Sequence, residues 1–278
     1  MEWSAFYDNI VAFLAHLKHV RHASHYTLKA YKADLHQFVE FWKEQPTKSN
    51  LKKTIKLYCN QLTRCKTGKS TIARKISCFN SYEKFLALQG FSLNLNLARP
   101  HIAPPKPKPL CKKDVIFLLD KVEEDELPTA SPYRDKSILE LLYATGVRCS
   151  ELINITLSNL NLEERAVLIH SPRKQHRTVY FGTQAYKKLQ AYLTHERIPS
   201  QTNKEFLFLN YRNQPLTTRS IQRICNMFGD FLPTKTKITP QLLRHSFAAH
   251  LIEEGADLDT VQKLLGHSSY ASIEKYLT

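Results

Sequence analysis

Along most of this chain, apolar residues recur every three or four positions, the step of a helix surface, rather than every second position, the step of a strand. In "SHYTLKAYKADLHQFVEFWKEQ" (24–45), Leu28, Tyr31, Leu35, Phe38 and Trp42 fall on one face behind Ser24, a residue type that caps helix N-termini. "KSTIARKISCFNSYEKFLALQG" (69–90) repeats the pattern through Ile72, Ile76, Phe79, Tyr82, Phe85 and Leu86 and stops at Gly90. Farther on, "RDKSILELLYATG" reads as a helix closed by Gly146 just past its last turn. The period then changes. "RAVLIH" and "RTVYF" are short β-type runs on either side of the polar "SPRKQH", which predicts a hairpin with a longer loop. Helical spacing returns in "TQAYKKLQAYLTHE", "RSIQRICNMFGDFL", "TPQLLRHSFAAHLIEEG" and "DLDTVQKLLG". Thr239-Pro240 is a start signal among these, and Gly255 and Gly266 are stops.

One segment has neither period. "ARPHIAPPKPKPLCKKD" (98–114) holds five prolines from Pro100 to Pro109 and no glycine, so it is extended and semi-rigid. The division expected is a helical domain over 1–95, a proline-rich linker over 96–112 and a mixed domain over 113–278. The fold class that follows is mainly α with a small antiparallel sheet: an all-helical bundle of four or five helices, then an α+β domain.

Charge points to the partner. The formal net charge is +15 and the pI is about 9.5, a bias toward a polyanion. Nucleic acid fits better than membrane, because no basic stretch carries a large apolar face, no lipidation motif is present and no apolar run approaches a span. Residues 1–95 carry 15 Lys and Arg against 6 Asp and Glu, nine of the fifteen excess charges. On the polar side of the 69–90 pattern stand Lys69, Ser70, Arg74 and Lys75, candidates for phosphate contact; the plainer account of any one of them is a solvated helix face. The six cysteines form no C-x-x-C pair and read as reduced thiols of a cytosolic protein. "MEWSAFYDNI" lacks the basic start of a signal peptide.

Four polar residues sit at helix boundaries against an apolar background. Arg148 follows the Gly146 stop, Arg244 lies on the helix begun by Pro240, His267 follows the Gly266 stop, and Tyr276 is nine residues beyond it. Singly, each has a bland account: Arg148 paired with a carboxylate such as Glu151, His267 bonded to the last carbonyls of a helix, Tyr276 as packing. Together, "ATGVRCSEL" and "LLRHSFAAHLIEEGADLDTVQKLLGHSSYASIEKY" resemble the two arginine boxes of the tyrosine recombinases, or phage integrases. The Tyr-Thr-Leu-x-x-Tyr-x-x-Asp-Leu run of 26–35 is similar to that family's helical core-binding domain. The likeness spans nearly the whole chain, and the compact size resembles the Xer subgroup of site-specific recombinases.

The resemblance implies a core-binding domain followed by an α+β catalytic domain, and an enzyme that cuts and rejoins DNA through a 3′-phosphotyrosyl link without metal, ATP or other cofactor. Tyr276 would be the nucleophile. Arg148 and Arg244 would bind the scissile phosphate, which planar, permanently charged guanidiniums do well. His267 would hydrogen-bond the same phosphate, while Tyr270 would be packing. Two departures stand out. Where the family has a His three residues before the second arginine, this chain has Gln241, which can hydrogen-bond but cannot take a proton. The hairpin loop lacks the family's Gly-Lys-Gly run, leaving Lys174 as candidate general acid with Arg173 as substitute and DNA contact. Family members also continue past the tyrosine into a terminal helix that docks on a neighbouring subunit; here the catalytic domain is expected to be cut just after the nucleophile. The implied partners are a duplex DNA site, a tetramer of self or paralogue on two sites, and a septal DNA translocase, in the cytoplasm on the nucleoid, with chromosome dimer resolution as the role. Alternatives are a mobile-element integrase of the same chemistry, a DNA-binding protein of this fold with weakened cleavage, and a type IB topoisomerase-like nicking enzyme. A two-metal nuclease is disfavoured, since no clustered Asp/Glu set is present.

Overall fold

The computed structural model describes residues 3–45, 50–102, 108–170, 176–198 and 205–266. The chain forms two units, Met1–Ala103 and Pro104–Thr278, and the division falls inside the proline-rich segment.

In the first unit the described helices are α1 (Trp3–His19), α2 (His25–Lys43), α3 (Leu51–Arg64) and α4 (Lys69–Leu88). Ser24 caps α2 as its sequence context implies: the Thr27 N–H donates to Ser24 Oγ at 3.1 Å. The apolar faces of all four helices meet in a core rich in aromatic rings. Phe6, Phe38, Trp42, Phe79 and Tyr82 pack largely edge-on or tilted, with Phe6–Phe38 centroids 5.3 Å apart and Phe38–Phe79 5.1 Å apart. The residues placed on the helical face of 69–90, Ile72 through Leu86, are all buried. Helices α1 and α3 have no counterpart among the elements read from the sequence. α3 is polar along most of its length, and its apolar stripe is narrow.

Polar groups also enter this core. Lys75 is 3 % exposed, and its ammonium donates to Asp34 at 2.9 Å, Gln37 at 2.7 Å and the Tyr58 hydroxyl at 3.2 Å. Asp34, itself buried, also accepts from Arg74. The cluster ties α2, α3 and α4 together. Lys75 is therefore corrected from a phosphate-contact candidate to an interior residue. Its position is one step round the helix from the exposed face, and Asp34 supplies the countercharge that burial requires.

The second unit is built around α6 (Pro132–Thr145), buried along most of its length and packed against α8 (Thr183–His195), α10 (Pro240–Glu253) and α9 (Thr218–Gly229). Short α5 (Lys112–Ile116) precedes it, and α7 (Cys149–Leu152) and α11 (Leu258–Leu265) complete the described α-helices. The sheet is antiparallel, in the order β1 (Leu160–Asn161), β2 (Ala166–Ile169), β3 (Arg177–Tyr180). The hairpin read from the sequence is β2–β3, with Ile169 opposite Arg177. β1 was not legible, because two residues carry no period. Thr239 caps α10, accepting from Leu242 N at 3.1 Å. One turn apart on that helix, Ser246 accepts the Leu110 N–H at 2.8 Å and His250 Nε2 meets the Leu110 carbonyl at 2.9 Å. These bonds fix where the segment entering the unit lies on α10.

Candidate active site

The site is assembled where three helix ends meet. α6 ends at Gly146, whose φ of +59° is a left-handed conformation that glycine adopts freely. A Cβ there would run into the Phe247 ring and lie 3.0 Å from Leu265, so the position is closed sterically as well. The turn delivers Arg148 as the residue preceding α7. Its N–H donates to Glu151 Oε2 at 2.8 Å and its guanidinium to Glu151 Oε1 at 2.9 Å. The pairing with Glu151 anticipated for an isolated arginine is thus present, and it coexists with a second role.

That role is at the end of α11. Arg148 also donates to the carbonyls of Leu265 at 3.3 Å and Gly266 at 3.2 Å. Arg244, on α10 and only 2 % exposed, donates to Leu265 O at 2.7 Å and to the Gly146 carbonyl. Arg177, first residue of β3, donates through Nε to Leu264 O at 2.8 Å. Three guanidiniums therefore meet the last three carbonyls of α11 and its cap, the negative end of the helix dipole. Gly266 takes the left-handed cap, and a Cβ on it would come within 2.8 Å of the Arg177 guanidinium.

Arg177 is the residue that sequence reading missed. It grips Glu151 with two bonds, of 2.9 and 2.7 Å, a bidentate pair. A signal existed: Arg177 has the parity of buried Val179 on β3, so an arginine faces inward where an apolar residue is the norm. Glu151 in turn joins Arg148 to Arg177. Burial alone would raise its pKa, yet the bonds from Arg177 and Arg148 hold it down at about 2, so it stays ionised. Three guanidiniums, two of them paired with Glu151, leave two positive charges in excess. Arg148 has the open edge, its side chain being 40 % exposed, against 11 % for Arg177. Such a cluster can bind an oxyanion with fixed, preorganised donors.

Gln241 stands exposed in the first turn of α10, three residues before Arg244. Lys174 and Arg173 in the hairpin loop, and His267, Tyr270 and Tyr276 past Gly266, lie outside the described residues. In the first unit, Lys69 and Ser70 are exposed in the first turn of α4, and Arg74, 42 % exposed, is tethered to Asp34. Among the described residues, no group of three or more His, Cys, Asp or Glu has the arrangement of a metal site, and no helix is long and apolar enough to cross a membrane.

Residues 110–278 match the phage integrase family, and residues 10–90 match the phage integrase N-terminal SAM-like domain. A tyrosine recombinase XerC from Thermodesulfovibrio yellowstonii is 36 % identical over 276 residues, covering 96 % of this chain and 90 % of the relative. Among solved structures, a XerH site-specific recombinase bound to difH substrate in a pre-cleavage complex has a TM-score of 0.73 at 20 % identity, covering 92 % of this chain and 76 % of that one. A lambda integrase tetramer bound to a Holliday junction has a TM-score of 0.72 at 15 % identity, covering 98 % of this chain and 76 % of its own.

Proposed function

We propose, for a chain that belongs to the phage integrase family of tyrosine recombinases, that Arg148 and Arg244 bind the scissile phosphate of a DNA recombination site and Tyr276 attacks it. The observation that carries this reading is the convergence of Arg148, Arg244 and Arg177 on the end of α11, immediately before His267 in the chain. Family resemblance assigns His267 to the same phosphate.

The steps balance without outside reagents. The Tyr276 oxygen forms a bond to phosphorus as the P–O5′ bond breaks, giving a 3′-phosphotyrosyl link and a 5′-hydroxyl. Lys174 gives the departing oxygen its proton, with Arg173 as the substitute. The tyrosine proton goes to His267 or to solvent, since Gln241 cannot hold it. A 5′-hydroxyl from the partner strand then reverses the sequence. The phosphoester energy is conserved in the link, so no nucleotide is consumed. Charge on the phosphoryl oxygens is met by guanidiniums; removing one such preorganised donor costs roughly 10²–10³ in rate.

Duplex DNA is the partner, and a tetramer of this chain, or of this chain with a paralogue, on two sites is the working assembly. Relatives solved on difH DNA and as a tetramer on a Holliday junction support both. Chromosome dimer resolution in the cytoplasm, on the nucleoid and prompted by a septal DNA translocase, is the role this reading favours, supported by the XerC relative. The exposed Gln241 keeps a second reading in view, a DNA-binding protein of this fold with weakened cleavage.

A bridging 5′-phosphorothiolate substrate tests the role of each residue, because a thiolate leaves without a general acid. Lys174→Ala is expected to lose cleavage on the oxygen substrate and regain it on the sulfur one. Arg148→Ala is expected to stay impaired on both. If sulfur fails to restore Lys174→Ala, the general acid lies elsewhere.

A further inference from the structure

The geometry points to a second site: we propose that His170 and His176 form a two-histidine site for a borderline divalent transition metal, Zn²⁺ or Cu²⁺, at the neck of the β2–β3 hairpin. The two residues flank the last cross-strand pair, Ile169 with Arg177. Both side chains are exposed, so an ion has access. Their Nδ1 atoms face each other at 3.0 Å, with ring centroids 4.7 Å apart and planes at 75°. Two imidazole nitrogens on one such ion, at roughly 2.0–2.1 Å from it, are separated by about 2.9–3.4 Å for bond angles between octahedral and tetrahedral. The observed distance lies inside that interval, so the two nitrogens already stand at a separation that one ion can span.

The surroundings supply the shell that a ligating histidine needs. A His bound through Nδ1 donates its other N–H to a neighbouring acceptor, which fixes the tautomer. Asn159 is at that position: its amide group lies 3.0 Å from His170 Nε2. Without metal, the Asn159 NH₂ donates to Nε2, and His170 Nδ1–H donates to His176. With metal, His170 takes the Nε2–H tautomer and the Asn159 amide turns over, so that Oδ1 accepts from Nε2. Oxygen and nitrogen of an amide exchange places readily in such a network. The Asn159 NH₂ then faces Thr156 Oγ1, now 2.6 Å from the amide oxygen, and the Thr156 hydroxyl donates to Ser158 Oγ at 2.9 Å. Each of these polar groups keeps a partner in both arrangements. With two protein ligands, water completes the coordination, and Cu²⁺ is held more tightly than Zn²⁺.

The test is a calorimetric titration of the full chain with ZnCl₂ and with CuCl₂, alongside the Cu²⁺ electron paramagnetic resonance spectrum at one equivalent. One tight class of site is expected, with superhyperfine coupling to two imidazole nitrogens. His170→Gln and His176→Gln should each abolish that class and leave coupling to a single nitrogen. Asn159→Ala, which keeps both ligands, should weaken Zn²⁺ binding by about 10- to 100-fold, the cost typical of losing an outer-shell partner. Both histidines are exposed, so the variants should melt like the wild-type protein in the absence of metal. A titration and spectrum unchanged in both histidine variants would overturn the proposal and assign the metal to other histidines of the chain.

Discussion

Glu151 shows how one carboxylate can order a cationic site. Its two oxygens accept from Arg148 and Arg177, which would otherwise repel each other beside Arg244. Its folded-state pKa, about 2, lies below the ordinary 4.5, so its stabilisation is fully present above about pH 4.5 and is lost as pH falls toward 2. Removing one partner of a buried pair costs about 3–5 kcal/mol. Glu151→Gln is therefore expected to lose about that much stability in urea unfolding at pH 7, with the gap to wild type closing as the pH drops through 4.5 toward 2. A constant gap across that range would show that the pairing is not electrostatic. At this scale the sequence was uneven. Arg148 and Arg244 stood out because glycine and proline signals marked the ends on which they lie. Arg177 was passed over despite its parity with Val179, and Lys75 was assigned to the solvent side, because the partners that make an inward-facing charge tolerable lie far away in the chain. Those partners, Glu151 and Asp34, are 26 and 41 residues away in the chain.

Among the elements, α11 carries the most consequence for the site. It is eight residues long, buries Val261 and Leu265, and is tied at its C-terminal end by three arginines from α10, β3 and the turn before α7. Gly146 lies at the junction: its carbonyl accepts from Arg244, and its missing side chain leaves room for Phe247 and Leu265. Gly146→Ala adds a left-handed penalty of roughly 1–2 kcal/mol to a clash that the Phe247 ring must relieve by moving. The expected result is a melting point lowered by several degrees and a cleavage rate reduced more than DNA affinity, since the shift reaches the Arg244 anchor. Thermal melts with single-turnover cleavage and a binding titration check it; unchanged cleavage would separate Gly146 from the site. Helix ends carried by Ser24, Thr239, Gly146 and Gly266 were readable because capping is local chemistry. Two-residue β1 and the polar-faced α3 were not, because tertiary packing determines them.

For the molecule as a whole, each unit owns a separate core, and the first carries most of the excess positive charge. The burial pattern divides that unit's cations into two kinds. Lys69, exposed in the first turn of α4, faces an unfavourable helix dipole and has no structural task among the described contacts, as a phosphate ligand would. Lys75 holds the interior. Lys69→Ala is expected to leave stability alone and to reduce the salt dependence of DNA binding by about one unit in the log–log slope. Lys75→Met is expected to lower the melting temperature, because it leaves Asp34 buried with less countercharge. The opposite pattern would reverse the two assignments.

The central claim, a phosphotyrosyl enzyme with Tyr276 as its nucleophile, is tested most directly on a nicked suicide duplex that traps the covalent intermediate. The protein is incubated with labelled DNA in EDTA and run on a denaturing gel. The wild-type chain and Tyr270→Phe should give a retarded, protease-sensitive band, and Tyr276→Phe should give none. An adduct that persists in Tyr276→Phe, or a strict need for a divalent ion, would contradict the account.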